Sequence, residues 1–304
     1  MNDAYDVAVV GGGAAGLGAA LVLGRARRRV VVFDAGEPRN AGVPHAYGFL
    51  GHDGIDPAEL LRRGRAEVAG YGVDLVDGRV AEIVPLGDER FTVRSSWRSV
   101  EARAVVLATG LVDPLPPIPG LDEIWGVDAA ECPYCHGWEV RDSRIGVVGS
   151  SDKLARVSAL LTQWSRDVMV ISAEASRFGA TEEARLRAAG VQVVPEAVAR
   201  FATANGRLRA VVLESGREIE RDAIFVAMAT RAASDLAARL CDVDAAGFAV
   251  VDAEGRTSRP GVWAVGNASD RIAKLVHAAA AGSRAAASIN AHLFERDLAA
   301  ALTR

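Results

Sequence analysis

Residues 7–24, VAVVGGGAAGLGAALVLG, constrain this chain more than any other stretch. Val7 to Val10 form a short unbroken apolar run, the pattern of a strand buried on both faces of a parallel sheet. Gly11-x-Gly13-x-x-Gly16 follows at once, and Leu17, Ala20, Leu21 and Leu23 continue at helical spacing. A second apolar run, Val30 to Phe33, ends at Asp34. Each position has a physical task in a strand–turn–helix that cradles a pyrophosphate. Gly11 permits the tight turn, Gly13 lets the backbone approach phosphate oxygens, and Gly16 lets the helix lie close to the strand. Ala14 and Ala15 open the helix, whose N-terminal dipole end favours the anion. Asp34, followed by Ala35, stands where a carboxylate reaches a ribose hydroxyl.

The same 18 residues carry no charge, so an export or membrane segment has to be weighed. Asp3 and Asp6 precede them in place of a positive start, three consecutive glycines interrupt them, and no second span follows. The expectation is a cytoplasmic chain with no membrane partner. Its 304 residues allow about two domains. A net charge of −4 without any basic stripe argues against nucleic acid as a partner.

The chain also repeats itself. Residues 79–110 and 198–230 both run short strand, turn, strand, turn, strand, then a buried apolar strand ending near Ala-Thr. Gly87-Asp88 and Asn205-Gly206 supply matching turn signals. Upstream of the second copy, RIGVVGSSDKLARVSALL again reads strand, turn, helix. The fold class is therefore α/β, with two Rossmann-like dinucleotide-binding domains. PLPPIPG at 114–120 reads as one hinge and Thr230 to Ser234 as another. The last stretch begins with a strand and ends in a long alanine-rich helix that returns to the first domain.

Residues 131–140 read ECPYCHGWEV. Zinc needs about four ligands, and Cys132, Cys135 and His136 offer at most three, with no second CxxC elsewhere. No metal site is expected. Three cysteines do not make a secreted disulfide framework, and Cys241 reads as a core residue. Redox chemistry is the reading for the CxxC. Pro133 suits the first turn of a short helix after Cys132, and a helix N-terminus favours thiolate.

Taken in order, Gly11 to Gly16, the triplet Ala108-Thr109-Gly110, the CxxC in the second domain and TSRPGVWAVGN near the end resemble the low-molecular-weight thioredoxin reductase family of two-dinucleotide-fold flavoproteins. The resemblance spans essentially the whole chain. It implies that the second domain is inserted in the first: 1–117 and 235–304 form an FAD-binding domain, and 118–234 an NAD(P)-type domain carrying the CxxC. It implies FAD as cofactor and a homodimer. Carried over residue by residue, Arg39 and Asn40 reach the FAD phosphates or flavin, and Val80 and Ala108 to Gly110 join the FAD site. Gly266 and Asn267 stand where the family has Gly-Asp beside the ribityl chain. Lys274 and Leu275 fall where backbone amides meet the flavin. Cys132 would exchange with substrate and Cys135 would face the flavin.

The second domain departs from the reductase pattern. Its loop reads Gly149-Ser150-Ser151-Asp152-Lys153-Leu154, with Ser151 at the close-approach position and Leu154 where a small packing residue belongs. Asp152 adds negative charge where a phosphate would sit. After the next strand, VMVISAEASRFGA offers Glu174 and a single cation, Arg177, in place of a basic cluster. The choice lies between a domain that has lost its nucleotide and a divergent NADH site.

CPYCHGWE is similar to one branch, the FAD-dependent dithiol oxidases that close the disulfide of secondary metabolites such as gliotoxin and holomycin. That resemblance implies a small-molecule dithiol as substrate and molecular oxygen as acceptor, with hydrogen peroxide released. The opposite flow, an NAD(P)H- or ferredoxin-dependent reductase of a thioredoxin-like disulfide, is the competing reading, and a flavin-bound redox sensor is a third. His136 either moves a proton during thiol exchange or packs or caps. His277 is either a second base or a pocket wall. Trp125 and Trp138 either wall a small-substrate pocket or pack at the hinge.

Overall fold

The computed structural model describes residues 4–87, 90–149 and 153–303. Asp3, Asp88, Ser150, Ser151 and Asp152 lie outside the described residues. The chain forms two compact units, residues 1–41, 57–112 and 230–304 in one, 42–56 and 113–229 in the other.

In chain order the first unit lays down β1 (Ala4–Val10), α1 (Ala14–Arg25), β2 (Val30–Asp34), α2 (Pro57–Ala69), β3 (Asp74–Asp77), β4 (Val80–Pro85), β5 (Phe91–Ser95), β6 (Ser99–Leu107) and β7 (Leu111–Val112). The second unit follows with α3 (Leu121–Ile124), β8 (Ala129–Ala130), α4 (Pro133–His136), β9 (Arg144–Gly149), α5 (Leu154–Leu161), β10 (Asp167–Ile171), α6 (Ala180–Ala188), β11 (Gln192–Val194), β12 (Val198–Ala204), β13 (Arg207–Leu213), β14 (Glu218–Glu220) and β15 (Ala223–Ala227). The chain then returns to the first unit with β16 (Arg231–Ala232), α7 (Leu236–Leu240), β17 (Val262–Ala264) and α8 (Leu275–Leu302).

Both units carry the sheet that the apolar runs imply. In the first, the order is β3-β2-β1-β6, parallel throughout. The nine-residue β6 bonds antiparallel β5 with its first half and parallel β17 with its second. In the second, five parallel strands run β11-β10-β9-β15-β8, and the meander β12-β13-β14 is a separate sheet. β1 and β9 therefore occupy equivalent central places.

One apolar layer lies between the first sheet and helices α1 and α8, built from Val7, Val9, Ala19, Leu23, Ala286 and Ile289 among others. Those helices touch at small residues: a Cβ on Gly18 would stand 2.7 Å from the Ala279 carbonyl oxygen. A fully buried Trp263 on β17 donates its indole N–H to Ser288 Oγ of α8 at 3.3 Å. The connecting strands β7 and β16 run side by side, antiparallel. The long last helix returns to the first domain as the sequence implies.

Segment 42–56, which the sequence assigned to the first domain, belongs to the second unit. It is a compact hairpin: Ala46 N–H bonds Ile55 O at 2.8 Å, and Gly54 N–H bonds Ala46 O at 2.9 Å. Its base packs on the second unit, where a Cβ on Gly126 would stand 3.2 Å from the Gly42 carbonyl oxygen. Among the described residues, no helix is long and apolar enough to cross a membrane.

Candidate functional site

The front loop, in the first unit, has the geometry its spacing predicts. Gly11 turns with φ of 115°, and a Cβ there would run into the Ala108 carbonyl oxygen. A Cβ on Gly16 would strike the Gly11 carbonyl, so α1 reaches this strand only with glycine there. Around Gly13 a Cβ would meet nothing within 4 Å, so open space lies in front of the loop. α1 starts at Ala14 with no side-chain cap and no acid in its first turn, which leaves its leading N–H groups and dipole for an anion.

Asp34 stands at the end of β2. Its Oδ1 accepts from Gly36 N–H at 3.0 Å and its Oδ2 from Arg65 Nη1 at 3.0 Å. Both oxygens retain lone pairs for hydroxyl donors. Arg65, which sequence reasoning missed, also binds Asp77 at 2.6 Å and so fixes the acid's position. Gly78 N–H donates to the Asp34 carbonyl at 2.7 Å, which brings the start of β4 beside the acid; the Val80 side chain itself is buried in the core. Ala35 and Arg39 are exposed and Asn40 half-buried on the turn after β2.

The C-terminal part of the site converges on the same loop. Ala108 N–H donates to Val10 O at 2.8 Å, Gly110 O accepts from Ala233 N–H at 3.2 Å, and Thr109 sits half-buried between them. A Cβ on Gly266 would stand 2.7 Å from the Ala15 methyl, which packs the Gly266 turn onto the start of α1. Asn267 donates its amide to Asp270 O at 2.8 Å and to Ala273 O at 3.0 Å, clamping the loop that delivers α8. A carboxylate could make neither bond.

Lys274 is the N-cap of α8 and its backbone N–H donates to His277 Nδ1 at 3.3 Å, so that amide turns back into the cap and Leu275 opens the helix. His277 thereby accepts a capping hydrogen bond through Nδ1. Trp125 packs in the second unit's core.

In the second unit, Cys132 and Cys135 are joined as a disulfide with Cα atoms 5.3 Å apart. Cys132 is the N-cap of α4 and Pro133 its first residue, as the sequence reads. His136 ends that helix half-buried, with both ring nitrogens shielded from solvent and without hydrogen-bond partners among the described residues. Burial pushes its pKa below the ordinary histidine value, against an opposing pull from Glu139. Burial therefore favours the neutral imidazole over the charged one. Burial followed by Glu139 and Asp53 raises the Tyr47 phenol, which marks hairpin 42–56 as a neighbour of the cysteine segment. Trp138 is exposed, and its indole lies under the Arg141 guanidinium at 4.3 Å. Cys241, read as core, is half-buried in the first unit beside an apolar cluster, and burial raises its thiol. No group of three or more His, Cys, Asp or Glu side chains among the described residues is placed to hold a metal.

The duplicate loop starts like the first. Gly149 turns with φ of 121°, and a Cβ would strike the Ala227 carbonyl. There the likeness ends. Leu154, where Gly16 stands in the first unit, is 1 % exposed and belongs to the apolar core. α5 begins at Leu154, five residues after its glycine, whereas α1 begins three after its own. The strand registers also expose what the sequence reading missed. Val10 pairs with Phe33 and Val147 with Val170, so Ser172 is the counterpart of Asp34. Its hydroxyl donates to the Gly149 carbonyl at 2.6 Å and accepts from Glu174 N–H at 3.2 Å. Arg177 is paired with Glu174 at 3.0 Å. The aligned strings VVVFDAG and VMVISAE already carried this signal.

Two linked Rossmann-like units, one with an open phosphate cradle and the other with a CxxC disulfide, define a flavoprotein disulfide oxidoreductase. The chain belongs to the pyridine nucleotide-disulphide oxidoreductase family, which it matches over residues 5–282. It is an oxidoreductase of the thioredoxin reductase type, whose cofactor is FAD, and the front loop fits that group in its open cradle and acid. It is similar to a crystal structure of HlmI, with a TM-score of 0.95 and 44% identity over 99% of this chain and 96% of that one. The thioredoxin reductase tcpT of Claviceps purpurea is 30% identical over 238 residues, covering 73% of this chain and 72% of that protein. A thioredoxin reductase relative from Arthroderma benhamiae is 36% identical over 152 residues, which span 48% of this chain but only 38% of that protein.

Proposed function

We propose that the chain is an FAD-dependent dithiol oxidase that closes an intramolecular disulfide in a small-molecule dithiol. The observation that carries this reading is the altered duplicate site: Leu154 in the core where the front loop has Gly16, and Ser172 turned onto Gly149 where the front site has Asp34, against the open cradle at Gly13. With the close-packing glycine and the ribose-binding acid both replaced there, reducing equivalents enter through sulfur.

In this reading one substrate thiolate attacks Cys132 Sγ, the Cys132–Cys135 bond breaks, and Cys135 leaves as thiolate. The second substrate thiol loses its proton and attacks the substrate sulfur of the mixed disulfide, releasing Cys132. Two electrons and two protons leave the dithiol, and the cysteine pair is reduced. His136, neutral and without a competing hydrogen bond, accepts a thiol proton during the exchange. Bound FAD supplies the two-electron chemistry that reoxidises the cysteines, with molecular oxygen as final acceptor and hydrogen peroxide as product. The similarity to tcpT, a thioredoxin reductase, supports thiol–disulfide chemistry at the cysteine pair.

A second reading, a nicotinamide- or ferredoxin-dependent reductase of a thioredoxin-like disulfide, draws on the intact Gly149 turn. Anaerobic titration of the yellow holoenzyme separates the two. The expected result is no bleaching by NADPH or NADH, bleaching by a dithiol, and peroxide on admitting air. Bleaching by either nucleotide within a turnover time rejects the oxidase.

A further inference from the structure

Two large aromatic side chains stand out in solvent beside the disulfide: Tyr134, between the cysteines, is 60 % exposed, and Trp138 is 64 % exposed. Residues 133–136 are helical and Gly137 keeps helical angles of −64° and −32°, so positions 134 and 138 fall on one face. Neither ring is loose. Tyr134 meets Trp164 edge-on, with centroids 5.6 Å apart and planes at 87°. Arg141 lies 4.3 Å from the Trp138 centroid and donates Nη1–H to the Trp138 carbonyl at 2.8 Å. Gly137 is the hinge pin of the arrangement, since a Cβ there would stand 2.8 Å from the Trp164 ring.

We propose that Tyr134 and Trp138 form an aromatic ledge that holds the flat, unsaturated ring of a small neutral dithiol against the disulfide, with Arg141 and Trp164 as positioning residues. The proposal rests on the dithiol-oxidase reading and names its substrate class. Exposed aromatic rings held in advance by a partner lose little freedom when a π face stacks on them. The area is too small for a protein partner: two aromatic side chains fall far short of the roughly 800 Å² per side of a stable complex. The charges agree. Glu139, exposed beside Trp138, repels a carboxylate-bearing ring, and the Arg141 guanidinium is already stacked on the indole.

The test uses holoenzyme and two probes that differ in having a ring, 1,2-benzenedimethanethiol and dithiothreitol, with oxygen uptake as the readout. The wild type favours the aromatic dithiol. Trp138→Ala lowers kcat/KM for it about fivefold more than for dithiothreitol, through KM, and Trp138→Phe restores most of the difference. Arg141→Met raises KM for the aromatic dithiol about threefold at unchanged kcat. Equal losses for both probes in Trp138→Ala, or no aromatic preference in the wild type, overturn the ledge. So does a Trp138→Ala defect confined to exchange with a thioredoxin-fold protein. Binding of the cyclic disulfide of the aromatic probe, followed by ligand-observed NMR, needs no turnover. Binding that depends on Trp138 without oxygen uptake keeps the ledge and sinks the oxidase. Oxygen uptake with binding indifferent to Trp138 does the reverse.

Discussion

Gly11 and Gly149 make the same left-handed turn at the end of equivalent strands, yet the helices after them begin differently. α1 leaves its glycine after three residues and lies on the loop through Gly16, while α5 starts two residues later with Leu154 buried in the core. The acid after the second strand is kept as Asp34 in one unit and replaced by Ser172 in the other, though the local bond to the amide two residues on survives in both. The two sites thus differ at a few contact positions while the turn that defines the fold stays. Turn geometry is held by backbone sterics, and occupancy by what fills the space in front of it.

The largest effect is expected from copying the duplicate loop into the front one. Gly16→Leu puts a side chain into the Gly11 carbonyl and should leave purified protein with less than a tenth of its flavin, read as absorbance at 450 nm against 280 nm. A fully yellow Gly16→Leu would refute close packing as the criterion. Next is the reverse change. Leu154→Ala removes a buried side chain and should cost about 3 kcal/mol, seen as a lowered melting temperature, without gain of NADH-driven bleaching. If nucleotide reduction appears in that variant, side-chain filling alone closes the duplicate.

A smaller loss is expected at Asn267, whose clamp belongs to the front site. Asn267→Asp faces a carboxylate toward the carbonyls of Asp270 and Ala273 and should cost about 2 kcal/mol. Thermal melts of Asn267→Asp and Asn267→Ala decide it: equal stability of both with wild type would remove the clamp from the account.

The least effect is the pH dependence of the second unit. The folded pKa of His136 lies below its unfolded value near 6.5, so its neutral form is favoured by the fold. Stability is full above that value and declines as pH falls, because the unfolded chain then binds a proton that the folded one resists. His136→Gln should flatten the difference between melting temperatures at pH 7.5 and 5.5. An unchanged difference would show that other groups carry it.

The α/β fold with two Rossmann-like units was legible because unbroken apolar runs beside glycine turns leave few alternatives. Cys132 as N-cap with Pro133 behind it was legible for a similar local reason. The roles of Asn267 and His277 were not, because each depends on how a loop folds back on its own carbonyls and amides. Hairpin 42–56 was misassigned since its packing partner, Gly126, lies far along the chain. Ser172 was readable in principle, but a serine announces nothing until strand register pairs it with Asp34.

The contact between α1 and α8 sets a schedule for synthesis. β1 and α1 leave the ribosome well before β17 and the helix that covers them. That early-made strand and helix therefore wait, with part of their shared apolar layer uncovered, until α8 has been synthesised, and that interval is when a chaperone has most to shield.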